Sequence, residues 1–325
     1  MNVAAPVFAA LALVLTGPVP MALSRARWTH RAPRAALVLW QAVAIAAVLS
    51  AFGSGLAIAS QLLVPGPDGR PTTSPTREID ALGAPLWTLS VIVFALTVLI
   101  GLRLMYAGIR VGVRTRRRRA RHRILVDLLD RADSPVARSR RADSPVARAR
   151  SSYVRVLDMP EPIAYCLPGV RRRVVLSEGT FTSLGDPELT AVLAHEHSHL
   201  RARHDLVLEF FTAVHEAFPR FVRSGSALGA VALLIELLAD DSAVRATGPT
   251  PVARALVACS NSVAPQGALG LGGTSTLLRV QRLGEPAARR RIPAIAYLGS
   301  AAILVLPTIA VAVPWLVELE RLLRG

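Results

Sequence analysis

The stretch "LAHEHSHLRARHD", residues 193–205, sets His195, His197 and His199 at alternate positions, with Glu196 after the first. Alternation aligns side chains on one face of a strand, whereas a helix aligns residues four apart. On a helix His195 and His199 share a face, and His197 leaves about 200° away from His195. Two imidazoles one turn apart can hold a divalent metal. The carboxylate of Glu196 then lies close enough to reach a water held by the pair, which is the logic of the HExxH zinc signature. A shuffled chain of this composition would contain the motif only about 0.005 times. The plainer alternative is a solvent-facing, histidine-rich helix. His197 is expected to be exposed or to be an outer neighbour of the site.

Zinc that keeps one position open for water needs a third protein ligand. "IELLADDSAVR" offers Glu236, which interrupts the apolar run from Ala227 to Ala239. That run is too short to cross a bilayer, and a carboxylate within it needs a partner. Asp240 follows one turn later on the same face, where it can accept the second ring N–H of a ligating histidine and fix its tautomer. The polar edge of an amphipathic helix is the alternative for both acids. His204, His215 and Arg254 are basic groups of the kind that an oxyanion needs, but a surface or packing role is the plainer reading of each, and none is assigned to the oxyanion.

The elements that must position these residues can be read from the flanking sequence. "GDPELTAVLAHEHSHLRARH" places Asp186 as N-cap, Pro187 at the first helical position and Glu188 in the first turn. Leu189, Val192 and Leu193 then recur at helical spacing. Upstream, "AYCLPG" (164–169) and "RRVVLS" (172–177) are β-prone runs after and around Pro168-Gly169, and read as a small hairpin. The folded region starts near Tyr153.

Composition sets the surroundings of this region. The chain has 325 residues, is 52% hydrophobic and carries a formal charge of +16, and every one of its 38 basic residues is Arg. Four stretches reach the roughly 20 apolar residues that span a bilayer: 1–24, Ala35–Pro67 with its apolar part ending near Val64, Ala81–Leu102, and Ala294–Val317. The first lacks a preceding positive charge and an evident cleavage site, so it reads as a retained span rather than a signal peptide.

Arginine position predicts orientation. Arg25, Arg27, Arg31 and Arg34 follow the first span, Arg114 to Arg123 follow the third, and Arg289 to Arg291 precede the fourth. The 65–80 loop holds only Arg70 and Arg77 against Asp68, Glu78 and Asp80. A plasma-membrane protein with its N-terminus outside and residues 107–293 cytosolic is expected. The basic cluster after the third span then reflects topology and contact with anionic lipid. No groove-reading motif accompanies it, so direct nucleic-acid binding is not expected.

"RADSPVARSR" and "RADSPVARAR" repeat in tandem over 131–150. Two copies of ten residues are too few and too short for a stacked repeat, and the composition suggests a flexible linker. Ser134 and Ser144 are conceivable modification sites. On this topology Cys166 and Cys259 face a reducing compartment and read as small buried hydrophobes.

From Ala164 to Arg245 the series "AYCLPGVRRRVVLSEG", "DPELTAVLAHEHSHLRARHD" and "ELLADDSAVR" resembles the membrane-integrated gluzincins. These are the HtpX and CAAX-prenyl-protease group, and especially the BlaR/MecR-type peptidases, whose catalytic region also lies before the last of four spans. The resemblance implies one zinc per chain on His195, His199 and Glu236, with Glu196 as general base and Asp240 beside a ligand. It also implies protein substrates: a cytosolic repressor, a membrane protein, or the chain itself. No penicillin-binding sensor domain follows the fourth span within these residues, so antibiotic sensing by that route is not expected.

The expected fold is mainly α, a multi-pass helical membrane protein with a cytosolic zincin-like domain inserted before the last span. Its parts would be a three-helix membrane domain (1–113), a basic linker (114–152), the metallopeptidase domain (153–291), and a fourth helix with a short tail (292–325). A non-catalytic signalling protein that keeps the site, and an arginine-rich membrane adaptor, are the alternatives.

Overall fold

A computed structural model of the chain describes residues 4–62, 64–65, 71–72, 74–130, 153–218, 225–260, 269–270, 275–285 and 291–324. The tandem repeat at 131–150 lies outside the described residues. Helix dominates, and four helical stretches are long and apolar enough to cross a membrane: Ala5–Arg25, Pro33–Ala59, Ala84–Leu128 and Arg291–Ile309.

The first stretch is two helices, α1 (Ala4–Thr16) and α2 (Pro18–Arg25), broken at Gly17. Pro18 and Pro20 cause the break, because each lacks an N–H and its ring crowds the carbonyl four residues back. A short helix, α3 (Trp28–Arg31), leads into α4 (Pro33–Ala59). Small residues let α4 sit close to its neighbours. A Cβ at Gly55 would stand only 2.0 Å from Thr97 Oγ1, and Ser54 Oγ donates to the Ala5 carbonyl at 3.0 Å. After the two-residue strands β1 (Val64–Pro65) and β2 (Pro71–Thr72), α5 (Pro75–Leu82) leads into α6 (Ala84–Leu128). Leu86, Leu89, Ile92, Leu96 and Leu99 stand exposed on α6, a surface suited to hydrocarbon.

The boundary expected at 113/114 is not where the helix ends. Residues 114–128 continue α6, which is 45 residues long, or about 68 Å at the usual rise. Arginine, alanine and leucine favour helix intrinsically, and this extension also has partners. Arg119 is buried and donates to Asp205 Oδ2 at 3.1 Å and Glu209 Oε1 at 2.7 Å. Asp127 accepts from Arg155 at 2.8 Å and from Arg173 at 3.0 Å. Val126 packs with Leu157, Tyr165, Leu167 and Val175. The arginine-rich segment is therefore a rigid strut joining the membrane helices to the sheet.

That sheet has the order β3-β5-β4-β6, from β3 (Val154–Leu157), β4 (Ala164–Leu167), β5 (Arg173–Ser177) and β6 (Leu269–Gly270). The hairpin is present: β4 and β5 pair antiparallel, with Tyr165 opposite Val175. Gly169 turns between them at φ +136, a conformation that side chains disfavour. β3 joins parallel to β5, and β6 pairs antiparallel with the other edge of β4. Neither was evident from sequence, being four and two residues long.

A short helix, α7 (Glu178–Ser183), follows, capped by the Ser177 hydroxyl on the Thr180 N–H at 3.1 Å. Helix α8 (Asp186–Ala202) starts one residue before the expected position, with Gly185 as N-cap and Pro187 in the first turn. Its Leu189, Val192, Leu193 and Leu200 bury against Val174, Leu176, Cys166 and Phe181, each worth roughly 1.5–3 kcal/mol when fully covered. Arg203 ends α8 in the left-handed region (φ 52), and α9 (His204–Ala217) begins at once in a new direction.

Helix α10 (Gly225–Thr247) links the two halves of the molecule. Val231, Leu234, Ile235 and Leu237 pack on Leu23 of α2, on Ala36, Leu37 and Trp40 of α4, and on Phe211 of α9. Further along, Ala243 joins the core beneath α8. The short apolar run is thus a buried helix, as its length predicted. Helices α11 (Pro249–Ala258), α12 (Thr276–Leu283) and α13 (Arg291–Arg324) complete the chain.

Candidate active site

Helices α8 and α10 cross so that the residues singled out in the sequence converge. His195, Glu196 and His199 are fully buried on α8, and Glu236 on α10 is half-buried opposite them. His195 Nε2 lies 3.1 Å from His199 Nε2 and 3.4 Å from Glu236 Oε2. Glu236 Oε1 lies 3.7 Å from His199 Nε2. Ligands at about 2.0–2.1 Å from a tetrahedral zinc stand about 3.3 Å apart, so these separations bracket the required spacing. One ligand atom from each residue falls within 4.8 Å of the others. The donor set of two imidazoles and one carboxylate fits zinc and leaves a fourth position open.

Outer contacts fix each histidine. His195 Nδ1 faces Asp240 Oδ1 at 3.1 Å. Asp240 is held in turn by Arg279, which donates from Nε at 2.8 Å and from Nη2 at 2.6 Å. Arg279 also reaches Glu236, with Nη1 3.2 Å from Oε2. His199 turns its Nδ1 to His204 Nδ1 at 3.0 Å.

Burial governs the charge on these groups. Burial raises the Glu196 carboxyl to about 7, with Glu236 adding to the effect and His195 opposing it. Burial tends to lower His195, but the carboxylates of Asp240 and Glu236 outweigh it and carry the ring to about 9. Burial keeps His199 well below the usual imidazole range and brings His204 to about 4, so both are neutral near pH 7. Burial alone would raise Asp240; Arg279 and His195 instead hold it at about 2. Among the described residues neither of the two buried Glu196 oxygens has a hydrogen-bond partner. Such an orphaned carboxylate beside a metal-ligand cluster is costly unless it serves chemistry.

His197 does lie on the far side of α8. It is half-buried, and its Nε2 hydrogen-bonds the Tyr153 hydroxyl. Of the three basic groups considered for an oxyanion, His204 is committed to His199. Arg254 stands 3.5 Å from Glu188, and His215 lines an apolar cavity with Leu15, Trp40 and Phe211. Cys166 and Cys259 are buried in the core beneath α8. Burial pushes Cys166 well up and Cys259 to about 12.

Sequence reasoning missed two residues. Arg279 sits on α12, 39 positions from Asp240, with no motif to mark it. His204 was weighed, but for a different role: its place beside His199 depends on the left-handed turn at Arg203, which a non-glycine residue does not announce.

No curated protein and no solved structure matches the chain. Residues 131–262 match the family model described as Peptidase family M48. That match contains the hairpin, the HExxH helix and the helix bearing Glu236 and Asp240, so this part of the chain is similar to peptidase family M48, a family of zinc metallopeptidases.

Proposed function

We propose that the protein is a membrane-anchored zinc metalloendopeptidase that cuts protein substrates at the cytosolic face of the plasma membrane. The observation that carries this reading is the His195, His199 and Glu236 cluster with the buried, unpartnered Glu196 carboxylate beside it. Zinc bound by the three ligands would polarise the scissile carbonyl and acidify a water. Glu196, with a pKa near 7, is matched to take the proton from the attacking water and return it to the leaving amine nitrogen. Asp240, backed by Arg279, holds the His195 ring, and His204 holds that of His199, so that both Nε2 atoms point at one position.

A substrate strand added to the edge of β4 away from β5 would lie beside α8. β6 already pairs there with Tyr165 and Cys166, so extended substrate must displace β6 or bind beyond it. The arginine distribution supports a cytosolic site, and anchoring on both sides concentrates neighbouring targets. The resemblance to BlaR/MecR-type peptidases suggests a role in signal transduction through repressor cleavage. The arginine-rich repeat at 131–150 is a second candidate target, in the chain itself.

Purified protein should cleave an unstructured protein substrate, lose the activity to a chelator, and regain it with zinc. Persistence of cleavage in metal-free protein rejects the reading. Sizing wild type and Glu196→Gln side by side by mass spectrometry separates the targets. Fragments ending within 131–150 in wild type alone support self-cleavage, and an intact chain with a processed repressor rejects it.

A further inference from the structure

The metal-binding helix has a second working face. Ala194, His197, Leu200 and Arg201 of α8 form one wall of an open groove of about 910 Å³ on the side away from the metal cluster. The β4–β5 turn at Val170 to Arg172 forms another wall, and the last turns of α10, with Ser242 and Arg245, a third. Arg173, also lining the groove, is paired with Asp127 at 3.0 Å. Arg171, Arg172, Arg201 and Arg245 are exposed, and none has an acidic partner among the described residues. Among the described residues no Asp or Glu lines the groove. Four guanidinium groups on one concave surface repel one another and attract anions.

The groove is not uniformly polar. Ala194, Leu200 and Ala246 contribute apolar wall, and Val170 is fully exposed at the rim. A free phosphate would leave that surface unused, and the volume is at the upper end for ligand sites. The distance along α6 argues against a lipid headgroup. Arg123 of α6 donates to the Arg171 carbonyl at 3.4 Å, about 30 Å along the helix from Leu102, where the apolar segment ends. Nucleic acid would want aromatic platforms, and the two rings that line the groove among the described residues, Tyr153 and His197, are tied to each other. Carboxylates suit arginine forks, and interspersed apolar side chains suit the walls.

We propose that this groove is an exosite for an acidic, apolar-containing segment of the protein substrate, held on the back of the HExxH helix while a neighbouring segment is cut. Naming that ligand a substrate rests on the peptidase reading; the binding itself does not.

The test uses full-length Glu196→Gln protein in detergent and a fluorescent peptide alternating Glu and Leu, followed by anisotropy. The peptide should bind, weaken as salt rises, and lose about tenfold in affinity when Arg201→Glu and Arg245→Glu are combined. Zinc content should stay unchanged. The milder pair Arg201→Gln and Arg245→Gln, at the same exposed positions, gives the same reading without charge reversal. Equal binding of a Lys–Leu peptide, undiminished affinity in both double variants, or tighter binding of a single-stranded oligonucleotide overturns the exosite. Failure of the peptidase reading would show instead as absent cleavage by the wild-type protein with this binding intact.

Discussion

His204 places its Nδ1 3.0 Å from Nδ1 of His199, across the turn at Arg203 that separates two helices. A residue outside the HExxH motif thereby contacts the ring of His199, one of the three proposed ligands.

Removing that support should be felt at the metal. His204→Ala should lower zinc affinity about 10–100-fold, the usual cost of losing an outer partner of a ligating histidine. Competition against a chromophoric chelator measures it. Affinity equal to wild type would show that His199 is oriented by something else.

His197 provides the contrast within the same motif. Its contact is with Tyr153, on the opposite side of α8 from the cluster. His197→Ala should therefore keep stoichiometric zinc and most activity. Metal loss as severe as that of His199→Ala would mean that α8 does not present these residues as described.

The extension of α6 makes a claim about stability. Arg119 is buried between Asp205 and Glu209, and truncating one partner of a buried charge network costs about 3–5 kcal/mol. Arg119→Ala should lower the melting temperature and speed amide exchange in 114–128 and in α9. Fast exchange of 114–128 in the wild type would restore the linker reading of that segment.

How much of this was legible in the residues depends on the range of the interactions. The HExxH helix, the hairpin and the pairing of His195 with Asp240 follow from local periodicity and one-turn spacing, and all are present. The end of the third helix was misjudged because arginine density resembles a linker; Asp205 and Glu209, which bury Arg119, lie 86 and 90 positions away. Strand β6 pairs two residues only, too few to leave a pattern. Arg279 reaches Asp240 and Glu236 solely through the packing of α12. Long-range polar contacts of this kind carry no period for a sequence to display.

The orientation proposed for the chain rests on the arginine-poor 65–80 loop and the arginine-rich ends of the other segments. A reporter fused at residue 72 should be active outside the membrane, and one at residue 150 inside. The same side for both would reverse the compartment of the active site.

The most direct measurement compares Glu196→Gln with His195→Ala, assaying zinc per chain and peptide cleavage on the same preparations. Glu196 is assigned the proton transfer and His195 the metal, so Glu196→Gln should hold one zinc per chain while cleavage falls about 10²–10⁴-fold. His195→Ala should lose both zinc and cleavage. Wild-type cleavage by Glu196→Gln, or stoichiometric zinc in His195→Ala, would contradict the assignment.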